Sequence, residues 1–110
     1  MKRYILPILF LMLASGMTEA QSRRTFVNPL LPSGPDPYSF YKDGFYYYTH
    51  TMASRVVLWK TKNLVDLQTA EKKTIFTPPP GTPCSHDLFT PEVLFLQGKW
   101  YAYFAADNGS

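Results

Sequence analysis

Gly34-Pro35-Asp36-Pro37-Tyr38-Ser39-Phe40-Tyr41-Lys42-Asp43-Gly44-Phe45-Tyr46-Tyr47-Tyr48 carries the architecture to expect of this chain. Aromatic residues dominate two short runs separated by Lys42-Asp43-Gly44, and Asp-Gly supplies the positive φ angles that a tight hairpin turn requires. The reading is a strand over about Pro37–Tyr41, a turn, and a strand over Phe45–Thr51. Side chains alternate along a strand, so Phe45, Tyr47 and Thr49 face one way and Tyr46, Tyr48 and His50 the other. Asp36 stands between two prolines where the first strand begins. Pro35 and Pro37 restrict the backbone on either side and lower the cost of holding one carboxylate in place.

Working outward, Gln21–Pro35 is extended, because Pro29, Pro32 and Pro35 oppose a helix. Arg55–Thr61 reads as a third strand and Asn63–Asp66 as a turn or one short helical turn. Thr74–Phe76 reads as a brief fourth strand and Pro78–Pro83 as a rigid loop. The hairpin pattern then returns. Thr90-Pro91-Glu92-Val93-Leu94-Phe95-Leu96 leads through Gln97-Gly98 to Lys99-Trp100-Tyr101-Ala102-Tyr103-Phe104-Ala105. Gly98 follows Gly44 by 54 residues, and each run has an acid near its start, Asp36 eight and Glu92 six residues before its glycine. Eight and six share a parity, so regular strands would aim both carboxylates at one face. Short antiparallel strands with a period near 50 residues suggest β-propeller blades, whose inner strands converge on a channel. Two unrelated hairpins in a sandwich or meander remain the alternative at this level.

The N-terminus has Lys2 and Arg3, an apolar run Tyr4–Leu13, and small or polar residues to Thr18-Glu19-Ala20. This is the three-part pattern of a signal peptide cleaved after Ala20, and the run is short for a membrane span. The expectation is an exported protein, periplasmic or extracellular, with residues 1–20 as signal peptide and 21–110 as the N-terminal part of a larger domain. No stable membrane insertion is expected after cleavage. The formal net charge of the whole chain is +3, with scattered bases and no concentrated stripe, which argues against a nucleic-acid partner. Cys84 is the single cysteine and forms no internal disulfide. Trp100–Ala106 is a strong strand followed by the turn Asp107-Asn108-Gly109-Ser110, as if more of the fold were to follow.

Asp36 leads the candidates for chemistry. Glycoside cleavage uses one acid to protonate the leaving oxygen and one carboxylate to activate water or attack carbon, about 6.5–9.5 Å apart in inverting enzymes and 5–5.5 Å in retaining ones. An ordinary Asp, with a pKa of about 3.9, is already ionised near neutrality and suits the base role. Glu92 could touch substrate, hold another side chain or face solvent. His50 could hydrogen bond a sugar hydroxyl, and Trp59 and Phe89 offer apolar ring area to a sugar's C–H face. No nucleophile elbow, phosphate loop or metal-binding spacing appears.

Several motifs taken in order resemble the opening blade of glycoside hydrolase family 43. They are Asn28-Pro29-Leu30 to Gly34-Pro35-Asp36-Pro37, Phe40 to Thr49, and Val57-Leu58-Trp59-Lys60-Thr61 to Asn63-Leu64-Val65-Asp66. The series continues with Phe89-Thr90-Pro91-Glu92-Val93 and Gly98-Lys99-Trp100-Tyr101 to Asp107. The resemblance covers the chain from about Thr25. It implies an all-β fold, with this chain holding roughly the first two blades of a five-bladed propeller. It implies release of arabinose or xylose from plant polysaccharides or oligosaccharides, usually with inversion. In that family an Asp base lies on the first blade, and an Asp modulator and a Glu acid lie on later ones. Asp36 matches the base. Glu92 matches a second-blade motif acid that is not the proton donor, and is expected among the substrate contacts with His50, Trp59 and Phe89.

Many relatives have tryptophan and alanine before the Pro-Glu pair, where this chain has His86-Asp87-Leu88-Phe89-Thr90-Pro91-Glu92. The departure weakens any choice among arabinose, xylose and galactose, and leaves Asp36 as the expected base. The expected partner is an arabinose- or xylose-containing glycan. No cofactor is expected, and the resemblance leaves open a structural calcium ion in the full-length protein. A carbohydrate-binding propeller without catalysis and a structural exported β-domain are the competing readings. The piece alone is expected to be inactive.

Overall fold

The computed structural model describes residues 25–109. The signal-peptide expectation for residues 1–20 lies outside the described residues. Within them the chain is all-β apart from one 3-10 segment. The strands are β1 (Tyr38–Lys42), β2 (Phe45–Thr49), β3 (Val56–Thr61), β4 (Glu71–Phe76), β5 (His86–Leu96) and β6 (Lys99–Asp107). The first four form an antiparallel meander in the order β1-β2-β3-β4, and β5 pairs with β6 in a second sheet.

Each aromatic hairpin turns on two residues of positive φ: Asp43 (51°) and Gly44 (82°) in the first, Gln97 (48°) and Gly98 (79°) in the second. That is type I′ geometry, whose twist matches the strands it joins. The registers repeat as well. Tyr38 pairs with Thr49 and Lys42 with Phe45; Glu92 pairs with Tyr103 and Leu96 with Lys99. Every partner in the second set lies 54 positions beyond its counterpart, so the spacing between Gly44 and Gly98 marks a true structural repeat.

Both faces of the first sheet are covered. Tyr48, Val57, Trp59 and Leu67 form a buried cluster on one face, backed by Leu30, Leu31, Met52 and Leu64. On the other face the Trp100 indole meets Tyr47 (4.6 Å between ring centroids) and Phe40 (5.9 Å). Phe95 packs on the same indole at 5.2 Å, and the Lys42 ammonium lies 4.4 Å from the centre of the Phe95 ring. The second hairpin is therefore seated on the first sheet by aromatic edges and faces, a favourable geometry for such rings. It brings β5 against β1.

Two elements depart from the sequence expectation. β4 starts at Glu71, three residues earlier than expected. Its exposed Glu71, Lys72 and Lys73 give no apolar alternation, as suits a charged edge strand. β5 starts at His86 and not at Thr90, with register shifts between His86 and Phe89 and between Phe89 and Glu92. The turn or short helical turn expected over Asn63–Asp66 is a 3-10 segment over Leu64–Thr69, with the Asn63 side chain accepting from the Val65 amide.

A methyl group added at Gly44 or Gly98 would meet no atom within 4 Å. Gly44→Ala and Gly98→Ala should therefore each lose roughly 1–2 kcal/mol, the cost of a left-handed alanine. Urea unfolding of the two variants measures this, and the repeat predicts nearly equal losses.

Candidate active site

The loop before β1 and the start of the Glu92 run meet at one cleft. Asp36, Pro37, Tyr38, Thr90, Pro91 and Glu92 line a hollow of about 160 Å3. A larger hollow of about 590 Å3, lined by Thr25, Phe26, Tyr46, Lys62, Asn63, Val65 and Asp66, contains none of those residues. Asp36 has φ 52° and Thr90 has φ 46°, both left-handed and both directly before a proline. Asp36 lies eight residues before Gly44, and Thr90 lies eight before Gly98. The structural counterpart of Asp36 is thus Thr90, while Glu92 occupies the position of Tyr38. Counting strand alternation back to Asp36 does not apply, because a left-handed residue interrupts the extended chain. The two carboxylates reach one cleft because the hairpins stack.

Thr51 ties this corner together. Its amide donates to the Pro35 carbonyl (3.0 Å). Its hydroxyl donates to Asp36 Oδ2 (2.8 Å). The same oxygen accepts from the Thr90 amide (2.9 Å). Just beyond, the Leu88 amide donates to the Ala53 carbonyl (2.9 Å), a second link between the hairpins. Sequence reasoning missed Thr51, because a threonine at a strand end is unremarkable and its contacts span 15 and 39 positions. Applying the 54-residue offset to Asp36-Pro37 would have led to Thr90-Pro91, and so to half of the arrangement.

The remaining candidates divide by burial. Phe89 is 45% exposed, whereas Trp59 and His50 are 4% and 6% exposed. The His50 ring lies 4.7 Å from Trp59 and 5.7 Å from Tyr48, centroid to centroid. Among the described residues, His50 Nδ1 and Trp59 Nε1 have no hydrogen-bond partner. Burial holds the His50 imidazole below the usual histidine pKa and pushes the Tyr48 phenol above its own. Gly34 lets the chain pass close to these rings, since a Cβ there would come within 2.8 Å of the Tyr48 hydroxyl. Among the described residues no group of three or more His, Cys, Asp or Glu side chains is placed to hold a metal ion.

Comparison with known proteins gives the relatives of the chain. No family model matches the chain. It is 40% identical over 100 residues to an extracellular exo-alpha-(1->5)-L-arabinofuranosidase of Streptomyces avermitilis, covering 88% of this chain and 21% of that protein. It is 35% identical over 95 residues to the enzyme of the same description from Streptomyces chartreusis, covering 83% and 29%. With alpha-L-arabinofuranosidase 43 of Humicola insolens the identity is 31% over 83 residues, covering 73% and 17%. The crystal structure of an alpha-L-arabinofuranosidase from Lactobacillus brevis matches with a TM-score of 0.69 and 33% identity, over 76% of this chain and 27% of that one. The β-sheets are consistent with a propeller-like fold shared with these enzymes. The chain is homologous to arabinofuranosidases of the glycoside hydrolase family 43 type, and spans between 17% and 29% of the length of the curated relatives it matches.

The neutral, buried state of His50 has a consequence for stability. Its folded pKa is depressed from 6.5, so the unfolded chain takes up the proton first as pH falls. The stability it contributes is present above that pH and is lost as the solution is acidified through it. Urea midpoints should decline more steeply between about pH 7 and pH 5 in the parent than in His50→Phe, which keeps a ring but cannot be protonated. Parallel slopes would contradict this assignment.

Proposed function

We propose that this chain is the first part of the catalytic domain of an exported glycoside hydrolase that acts on arabinose- or xylose-containing plant glycans. Residues 1–20 are the export signal in this reading, and residues 21–110 supply about two of five propeller blades. Two relatives are described as extracellular, which supports export. Among the described residues no helix is long and apolar enough to cross a membrane. The observation that carries the proposal is the convergence of Asp36 and Glu92 on one cleft in a chain homologous to arabinofuranosidases.

Asp36 is the general base. Its carboxylate takes a proton from water as the water oxygen attacks the anomeric carbon from the face opposite the leaving group. The glycosidic C–O bond breaks, and the departing oxygen takes a proton from a glutamic acid on a later blade, tuned by a later aspartate. The anomeric centre is inverted. Glu92 contacts sugar hydroxyls, and the exposed Phe89 ring offers apolar area to the sugar. His50 and Trp59 are buried against each other and Tyr48, which leaves the sugar contacts to Glu92 and Phe89. The step uses no cofactor, and a structural calcium ion in the full-length protein would stand outside it.

In the full-length enzyme, Asp36→Asn should lower kcat roughly 10²- to 10⁴-fold, the range for losing an acid–base group, with the circular dichroism spectrum unchanged. Parental turnover on the natural glycan would defeat the assignment.

Residues 21–110 alone should show no measurable hydrolysis. Trp100, Tyr101 and Tyr103 of β6 are exposed, and open strand edges and apolar rings favour self-association. A monomeric preparation of that fragment cleaving an arabinofuranoside or xyloside at an ordinary enzymatic rate is the contrary result.

A further inference from the structure

We infer that Thr51 is a positioning residue that aims the Asp36 carboxylate into the cleft; this rests on the reading of Asp36 as the base. The Thr51 hydroxyl has one hydrogen to donate. The Thr90 amide donates into the same oxygen (2.9 Å), so it takes up an acceptor site and leaves that hydrogen for Asp36 Oδ2 (2.8 Å). The order of the relay is therefore fixed: Thr90 N–H to Thr51 Oγ1, Thr51 O–H to Asp36 Oδ2. One carboxylate oxygen is tethered, and among the described residues Oδ1 receives no hydrogen bond, which leaves it to take the proton from water.

The tether also spans the two hairpins. Thr51 follows β2 and is anchored through its amide to the Pro35 carbonyl (3.0 Å), next to Asp36 in sequence. Thr90 holds the equivalent position in the second hairpin, and Thr90, Pro91 and Glu92 form the facing wall of the cleft. A shift of the second hairpin would thus act on the Asp36 carboxylate through a single hydroxyl. Valine at position 51 keeps the branched shape and removes the relay, whereas serine keeps the relay and removes a methyl group.

The test uses the full-length enzyme with para-nitrophenyl α-L-arabinofuranoside and para-nitrophenyl β-D-xyloside as probes, and circular dichroism to verify folding. Thr51→Val should lower kcat roughly 10- to 100-fold, the scale of a misplaced reacting group, with KM held within about threefold. Thr51→Ser should stay close to the parent. In the Asp36→Asn background, Thr51→Val should cost little more, because no base remains to be aimed. If Thr51→Val does not fold, Thr51→Ala replaces it in the same comparisons. Parental kcat in Thr51→Val, a serine variant no better than valine, or an undiminished loss in the Asp36→Asn background overturns the inference. If Asp36→Asn is inactive and Thr51→Val is not, only the role of Thr51 falls. If Asp36→Asn keeps parental activity, the base assignment fails and this inference with it.

Discussion

The seat of the second hairpin on the first sheet depends on the indole of Trp100. A two-stranded ribbon is marginal by itself in water, and β5 and β6 pair with no third strand among the described residues. The ribbon is held where Trp100 meets Phe40 and Tyr47 at centroid distances of 5.9 and 4.6 Å, where Phe104 meets Phe76 at 5.1 Å, and where Leu88 and Val93 of β5 are buried. Those contacts set where β5 lies relative to β1. They also set whether Thr90 can reach Thr51, and whether Glu92 faces the cleft that Asp36 borders. Packing of apolar rings between two sheets thus controls the geometry of polar groups at their ends.

The same contact explains how two sheets share a repeat without sharing composition. Each hairpin keeps its type I′ turn and its register, because turn geometry and strand twist must agree. The side chains on those frames differ. The first hairpin presents Tyr47 and Phe40 to its neighbour, and the second answers with Trp100 and Phe95. Opposite the indole, Tyr48 and Trp59 close a second apolar layer in which His50 is held neutral. The first sheet is consequently packed against side chains on both faces, and its central strands are rich in β-branched and aromatic residues.

Much of this was legible in the residues. The Asp43-Gly44 and Gln97-Gly98 turns, the alternation through Tyr46–His50 and the 54-residue period all follow from turn chemistry and strand geometry. What the sequence hid has physical causes. The sequence shows only the Thr74–Phe76 end of β4, because Glu71, Lys72 and Lys73 lie on an exposed edge, where no buried face imposes a pattern. The start of β5 was missed because its irregular register and Pro91 break the alternation that announces a strand. Parity groups Asp36 with Glu92, yet the two share a cleft through packing, and the repeat matches Asp36 to Thr90. His50 and Trp59 could meet a sugar as far as the sequence goes, since an aromatic strand does not reveal which face is covered; the structure buries both. Thr51 left no trace, because hydrogen bonds between distant loops are not written in local spacing.

The equivalence of Asp36 and Thr90 shows how one backbone geometry serves two purposes. Aspartate tolerates a left-handed φ; a β-branched threonine resists it, and the following proline disfavours a helical turn at either position. Such residues cost of order 1–3 kcal/mol each. Three hydrogen bonds meet at Thr51, through its amide and its hydroxyl. At about 0.5–1.5 kcal/mol apiece they offset a cost of that size. In the first hairpin the left-handed residue presents a carboxylate, with one oxygen held by the Thr51 hydroxyl. In the second, the matching residue offers only its amide, and that amide steadies the hydroxyl that holds the carboxylate. A repeated strained corner, used once for charge and once for support, lets two weakly coupled sheets fix a single side chain.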